Sequence, residues 1–566
     1  MFRLKAKFIV LAISLIFLLV LTLENFEKFM EYGQLSFYPS DEEEMNFKPI
    51  IGQNIDTDPR HSFWTDVFNI IEGGSINITQ GDISTAVQYV DKSQQQEGPN
   101  SKSVLLSKAY ISPETTRELT MKHNFVMSTL PRKLHKSTYV KGANGIVIIG
   151  GQKFSWLSYL SLVALRKSGS NIPVEIVMPQ HEDFVQEQEF CQKTLPKLNA
   201  RCVVLAESLG AEVMFKWSSN FANYQLKSLA LMVSSFQNVL LLDSDNILVQ
   251  NPDSLFTSKL FKDYGMVTWP DYWERTISPV FYDISGLKVN EDKRVRYNRF
   301  PLATPDGLTS NLNTRESIAD EVPYHDLEGA IPNLSTESGQ VLINKDTHAC
   351  TLLLSMYYNM LGPNLYYKLF SLGEQGEGDK DTFPAAASVC GENFYQVKSF
   401  IRTFGYFDDG GNFQGVAMGQ KDPLGDYEKY QKYLETPSKS KENKHIPIKS
   451  QIENIDNLQK EHFSGDSGKL FAIHCNFPKF DPVGLLARED LWDAENKRLK
   501  YRLFSGFTYD DPNIKAKTLD FELEQWKNIE KALCSETIDF PYFKSENIEE
   551  ICTLARNQVR FLQSVP

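Results

Sequence analysis

The feature that most constrains this chain is Val239–Phe256, VLLLDSDNILVQNPDSLF. Val239 to Leu242 is an unbroken apolar run, ended by Asp243-Ser244-Asp245 and followed by a turn at Asn251-Pro252. A run this short, bounded by turn residues, suits a fully buried strand better than a helix. The two carboxylates then stand at the strand's carboxyl end, the edge where open α/β sheets bind ligands. Paired hard oxygen donors there suit Mg2+ or Mn2+, which complete their shells with water and substrate phosphates. The stretch therefore predicts a metal–diphosphate site.

The preceding segment supplies the rest of a sheet. Gly145–Gly151, GIVIIGG, reads as a buried strand, and Phe154–Lys167 has helical spacing that Ser168-Gly169 ends. Val174–Met178 reads as a second strand and Phe184–Leu195 as helical, with short strands at Val203–Ala206 and Glu212–Phe215. Phe221–Phe236 reads as an amphipathic helix leading into the opening strand. Strands alternating with helices predict βαβ units, a Rossmann-like and mostly parallel sheet flanked by helices. Gly150-Gly151-Gln152 is not a dinucleotide fingerprint; it reads either as a close approach for a nucleotide or as a plain tight turn.

Downstream, Gly265–Trp269 reads as a strand, and Lys288–Arg299, with Arg294, Arg296 and Arg299, as a basic patch, a solvated face in preference to an anion or acceptor contact. Glu337-Ser338-Gly339-Gln340 opens the strand Val341–Ile343, and Leu352–Leu361 is a helix ended by Gly362-Pro363. Gly373–Phe383 is a glycine-rich acidic loop feeding a helix. Residues 434–468, polar and lysine-rich, read as a surface insertion, and Leu470–Ile473 as a strand ending in His474-Cys475-Asn476.

At 566 residues with 42% hydrophobic content the chain can bury a large core, and a net charge of -13 argues against nucleic acid as a partner. The seven cysteines form no C-x-x-C pair, so neither a zinc ribbon nor a redox motif is indicated. Cys191–Cys202 and Cys534–Cys552 are local pairing candidates, and an odd count leaves at least one cysteine over. Arg3, Lys5 and Lys7 precede the apolar run Phe8–Leu23, and acidic residues follow it. We read 1–7 as a cytosolic tail and 8–23 as a transmembrane signal anchor rather than a cleaved signal peptide. Residues 24–139 are then a stem and N-terminal elaboration, and 140–566 a lumenal catalytic domain. That topology permits glycosylation at the Asn77-Ile78-Thr79 and Asn333-Leu334-Ser335 sequons.

Strand-D-x-D also opens phosphatases of the haloacid-dehalogenase type, where the first Asp is the nucleophile. Here about a hundred residues of βα pattern come first, and Asp408-Asp409 lacks a convincing lysine context as the later acidic pair. The metal–diphosphate reading is preferred.

Four blocks together carry a resemblance. They are Leu241-Leu242-Asp243-Ser244-Asp245-Asn246 with Asn251-Pro252, Val267-Thr268-Trp269-Pro270-Asp271-Tyr272-Trp273, Glu337-Ser338-Gly339-Gln340, and Gly376-Glu377-Gly378-Asp379-Lys380. From about residue 140 to past 490 the chain resembles the fungal Golgi α-1,2-mannosyltransferases that branch the α-1,6-mannan backbone of N-glycan outer chains, a glycosyltransferase family 71-like group. The resemblance implies a GT-A fold, a Golgi type II membrane protein, GDP-mannose as donor, a mannan or N-glycan acceptor, Mn2+ as cofactor and retention of configuration. It implies Asp243, Asp245 and His474 as metal ligands, and Lys227 and Lys479 as neutralising groups for the diphosphate. Gly150, Gly151, Gln152 and Ser244 complete the donor site, while Glu337, Gln340 and Asp379 face sugar or acceptor. Glu337, or alternatively Asp379, would be the nucleophile of a covalent route; same-face attack by the acceptor hydroxyl is the other route. An α-1,3-transferring relative and a non-catalytic subunit of a mannan-synthesising complex are the competing functions.

Overall fold

Seven strands make up the main sheet. The structure is a computed structural model that describes residues 58–76, 85–307, 318–439, 447–512 and 514–564. The expected 8–23 signal anchor and the Asn77 sequon lie outside the described residues, among which no helix is long and apolar enough to cross a membrane. Both of the larger sheets belong to the unit Arg60–Pro566.

The parallel half of the main sheet holds β1 (Val140–Ile149), β2 (Val174–Met178), β3 (Ala200–Val204) and β4 (Phe236–Leu242). Helix α1 (Lys153–Lys167) returns the chain from β1 to β2, and its Trp156, Leu157, Leu160 and Leu165 are buried. From β4 the chain crosses into β5 (Asn246–Leu248) and later re-enters the main sheet as β6 (Met266–Pro270). Strand β7 (Thr336–Asn344) runs antiparallel between β4 and β6, with Gln340 opposite Leu242, and β8 (Tyr395–Gln396) pairs parallel to β6. The order is β8-β6-β7-β4-β1-β2-β3, so the sheet is mixed but mostly parallel. Because β7 runs backwards, its first residues, Thr336 to Gln340, start at the edge where β4 ends.

A second, antiparallel sheet has the order β9 (Arg402–Phe407), β10 (Phe413–Lys421), β11 (Leu470–His474), β5. One apolar core joins the two sheets: Trp269 of β6 stacks on Phe471 of β11 at 5.3 Å, and its indole donates to the Lys421 carbonyl at 2.9 Å. Arg275 and Asp381, both buried, tie the connection between β6 and β7 to the start of the helix Thr382–Cys390.

Several expectations change. Glu212–Phe215 is helical, inside Ala211–Trp217, where only Val213 is buried and Phe215 is 93% exposed. A segment of four residues with three apolar ones cannot distinguish one inward residue per turn from alternation. The basic stretch is not a solvated face: it forms the strand Asn290–Tyr297, with Arg294 paired to the buried Asp326 at 2.6 Å. Arg296 donates to three backbone carbonyls, and Arg299 is buried against the Lys398 carbonyl. Within 434–468, residues Ile448–His462 form a helix whose Ile455 packs with Phe463 against Phe300 and Leu302. The expected helix Phe221–Phe236 is shorter, Gln225–Val233, and Phe236 already belongs to β4.

Cys191–Cys202 and Cys534–Cys552 are disulfides as expected. A third, Cys350–Cys390, links the helices Ala349–Met360 and Thr382–Cys390, and Cys475 is free and buried. Asn333 of the second sequon is buried, its amide oxygen accepting from the Arg275 amide at 2.8 Å, so a glycan has no access to it.

Candidate active site

Asp243-Ser244-Asp245 is the crossing between the two sheets. The Asp243 amide donates to the Gly339 carbonyl of β7 at 2.8 Å, and the Asn246 amide donates to the Asp243 carbonyl at 3.0 Å. This closes β4 and turns the chain into β5. Strand β11 pairs with β5, His474 opposite Asn246, and the Cys475 amide donates to the Asp245 carbonyl at 3.0 Å. Strand pairing alone thus brings His474 beside the acidic pair.

The His474 Nε2 lies 3.4 Å from Asp245 Oδ1 and 3.8 Å from Asp243 Oδ2. One ligand atom from each of these three residues falls within 4.8 Å of the others, a cluster able to hold a cation. The other imidazole nitrogen, Nδ1, lies 3.0 Å from Glu337 Oε1. An ionised carboxylate only accepts, so Nδ1 donates and Nε2 is directed at the acidic pair. Glu337 is itself fixed: Oε1 accepts the Gly339 amide at 2.6 Å and Oε2 the Gln340 side-chain amide at 2.6 Å. A carboxylate holding the far nitrogen of a ligand histidine is the usual outer support of a metal site.

Two lysines flank the acids. Lys227 Nζ is 2.8 Å from Asp243 Oδ2 and 3.9 Å from Asp379 Oδ1, and it donates to the Ser338 hydroxyl at 3.2 Å. Lys479 pairs with Asp245 Oδ2. Burial would lower Lys227, but Asp243 and Asp379 outweigh it and hold the ammonium above its ordinary range. Burial raises Asp243 against the pull of Lys227, whereas for Asp245 the charges of His474 and Lys479 overcome burial and hold it low. Burial would likewise lower His474, yet Asp245 and Glu337 raise it to about 10. Two carboxylate oxygens and one imidazole nitrogen form a donor set that fits Mn2+ and similar ions.

The remaining predicted residues fall into two groups. Asp379 and Ser338 share the floor with Lys227: Ser338 Oγ donates to Asp379 Oδ1 at 3.0 Å, while Oδ2 is buried without a hydrogen-bond partner. Burial raises Asp379 to about 6. Gln340 is wholly buried between Glu337 and Asn246, which makes it a brace rather than a sugar contact. Ser244 is buried, and its carbonyl accepts from Ser161 of α1 at 2.9 Å. Gly150, Gly151 and Gln152 lie at the end of β1, one strand away, since Ile148 pairs with Leu242. Gly151 has φ +94° and a Cβ there would meet Asp183 Oδ2 at 2.8 Å, so only glycine fits. The Gly151 amide donates to Ser155 Oγ and the Gln152 amide to Glu187 Oε1, so the turn is internally held.

Residues singled out only by resemblance gain roles. Lys380 pairs with Asp271 at 2.9 Å, which joins the glycine-rich loop to the end of β6. Gln420 of β10, unmarked in the sequence, donates to the Pro270 carbonyl and reaches Glu337 Oε2 at 3.4 Å. Asp408-Asp409 sits in the turn between β9 and β10 and is not part of the Asp243 cluster, which removes the second acidic pair a phosphatase reading needs.

A mannosyltransferase family model, Mannosyl_trans3, matches residues 143–422. The chain is similar to the α-1,2-mannosyltransferase MNN23 of Candida albicans, 50% identical over 514 residues, covering 89% of this chain and 84% of that protein. It is also similar to the α-1,2-mannosyltransferase MNN2 of Saccharomyces cerevisiae, 38% identical over 476 residues, covering 80% and 75%. Among solved structures it overlaps the glycosyltransferase GlyE of Streptococcus pneumoniae with 11% identity, 45% of each chain covered and a TM-score of 0.25, too partial a likeness to argue from.

Proposed function

This chain belongs to the family of α-1,2-mannosyltransferases, and from that premise we propose that it transfers mannose from GDP-mannose to α-mannose residues of mannan, with retention and on a GT-A framework. The observation that carries the proposal is the convergence of Asp243, Asp245 and His474 at the carboxyl edge of the sheet, flanked by Lys227 and Lys479.

In this reading Asp243, Asp245 and His474 would hold Mn2+, which when bound supplies positive charge to a diphosphate leaving group. The chain's own groups do the rest. Lys227 and Lys479 stabilise the charge left on the β-phosphate as the C1–O bond breaks. Glu337 fixes the His474 ring so that Nε2 faces the acids. Both Glu337 oxygens are engaged by protein donors, which makes it a positioning residue rather than a nucleophile. Asp379, beside Lys227, is the carboxylate with an uncommitted oxygen, suited to receive a sugar hydroxyl. The sequence pattern of residues 1–23 and three disulfides support a type II protein of the Golgi membrane with its catalytic domain in the lumen.

The test is product analysis. The full chain is incubated with GDP-mannose, Mn2+ and α-1,6-mannan, and the products are methylated and their linkages identified. New 2-O-linked mannose, lost on chelation, is expected; 3-O-linkage or no transfer would refute the assignment.

A further inference from the structure

The turn between β9 and β10 lies against Phe477-Pro478, which immediately precede Lys479 in the chain. With Arg488, Asp490 and Tyr501 these residues line a cavity of about 510 Å³, a size in the range of small-molecule sites. None of its lining residues belongs to the Asp243 cluster. Phe477 and Lys479 are two positions apart, so the residue that pairs with Asp245 lies at most about 7 Å along the backbone from the cavity wall.

Its lining has a consistent chemistry. Tyr406 and Tyr501 stack at 4.6 Å, and Phe477 is 73% exposed although its backbone amide is tied to the Val416 carbonyl at 3.0 Å. Asp409 and Tyr501 share the lining, and Arg488 grips Asp490 through two bonds of 2.7 and 2.5 Å. Three aspartates, 408, 409 and 490, stand against Arg488 and Lys500, so the lining has no cationic surplus. A diphosphate is therefore disfavoured here. Aromatic faces between fixed carboxylates and a guanidinium suit a neutral, polyhydroxylated ligand: the rings take its C–H faces, and the charged groups its hydroxyls.

We propose that this cavity is the acceptor subsite, holding the mannose residues of the mannan chain next to the one that receives the transferred sugar. The proposal rests on the mannosyltransferase reading, and it divides the molecule's substrates between two surfaces. The nucleotide–sugar lies along the main sheet edge, and the neutral acceptor lies over the second sheet, with Lys479 at the boundary.

The test uses the full chain and α-1,6-linked mannohexaose as probe. Binding is measured by calorimetry without donor or metal, and transfer is compared between mannohexaose and methyl α-mannoside. Tyr501→Ala and Asp409→Asn are each expected to weaken mannohexaose binding about fivefold or more. The ratio of kcat/KM for mannohexaose to that for methyl α-mannoside should fall by a similar factor. Asp409 is exposed, so its amide variant keeps the fold and leaves the test valid should Tyr501→Ala lose stability. Wild-type affinity and an unchanged ratio in Asp409→Asn would overturn the proposal, as would absence of mannohexaose binding by the wild type. Binding that both substitutions weaken, without mannosyl transfer by the wild type, would uphold the subsite while refuting the enzymatic reading.

Discussion

Asp243→Ala is expected to lower mannosyl transfer about a thousandfold, because roughly 4 kcal/mol of transition-state stabilisation would be lost at once. Asp243 faces His474 at 3.8 Å as a prospective metal ligand and pairs with Lys227 at 2.8 Å. Removing it takes away one of three ligands and leaves an ammonium buried without its main partner. The second effect costs stability as well, so Asp243→Asn is the control. The amide keeps the shape and a hydrogen-bonding oxygen but loses the charge, and it should lose comparable activity with a smaller shift in unfolding midpoint. Initial rates with GDP-mannose, alongside thermal unfolding of both variants, separate the two contributions. Near-wild-type rates in either variant would remove Asp243 from the site.

Arg275→Met is expected to destabilise the protein by about 3–5 kcal/mol, the usual penalty for removing one partner of a buried ion pair. The Arg275 guanidinium meets Asp381 at 2.5 Å and donates to the carbonyls of Pro332 and Leu334, with no solvent to replace it. Asp381 in turn accepts from the Thr336 amide and the Ser335 hydroxyl. That network anchors the first residue of β7, one position before Glu337. Activity should therefore fall further than the remaining folded fraction explains. Chemical denaturation followed by tryptophan fluorescence measures the first effect, and specific activity of the folded fraction measures the second. A stability loss below about 1 kcal/mol would show that the pair is not the anchor described.

The acidic pair is legible in the sequence because β4 is apolar to its last residue and stops at a charge. The same logic finds His474, since Leu470–Ile473 is another apolar run ending at a polar residue. How these strand ends meet is not legible. Glu337 supports His474 only because β7 runs antiparallel beside β4 and because β11 joins a second sheet through β5, and neither pairing leaves a local signal. Lys227 stands out only as a basic residue before β4; its contact with Asp243 depends on how its helix packs behind the sheet edge. The arginines at 294, 296 and 299 mislead for a related reason. A cluster of charges usually marks solvent, but here Asp326 and a set of carbonyls compensate the burial. Local disulfides are accessible from spacing, whereas Cys350–Cys390, 40 residues apart, needs the packing of two helices.

If Asp243, Asp245 and His474 form one divalent-ion site that Glu337 keeps in order, the ion itself will report it. Electron paramagnetic resonance of free Mn2+, titrated with the full chain in the presence of GDP, measures that site without reference to turnover. Saturable binding by the wild type is expected, with affinity about 10–100-fold weaker in Glu337→Gln and loss of the site in His474→Ala. Equal Mn2+ affinity in the wild type and His474→Ala would contradict it.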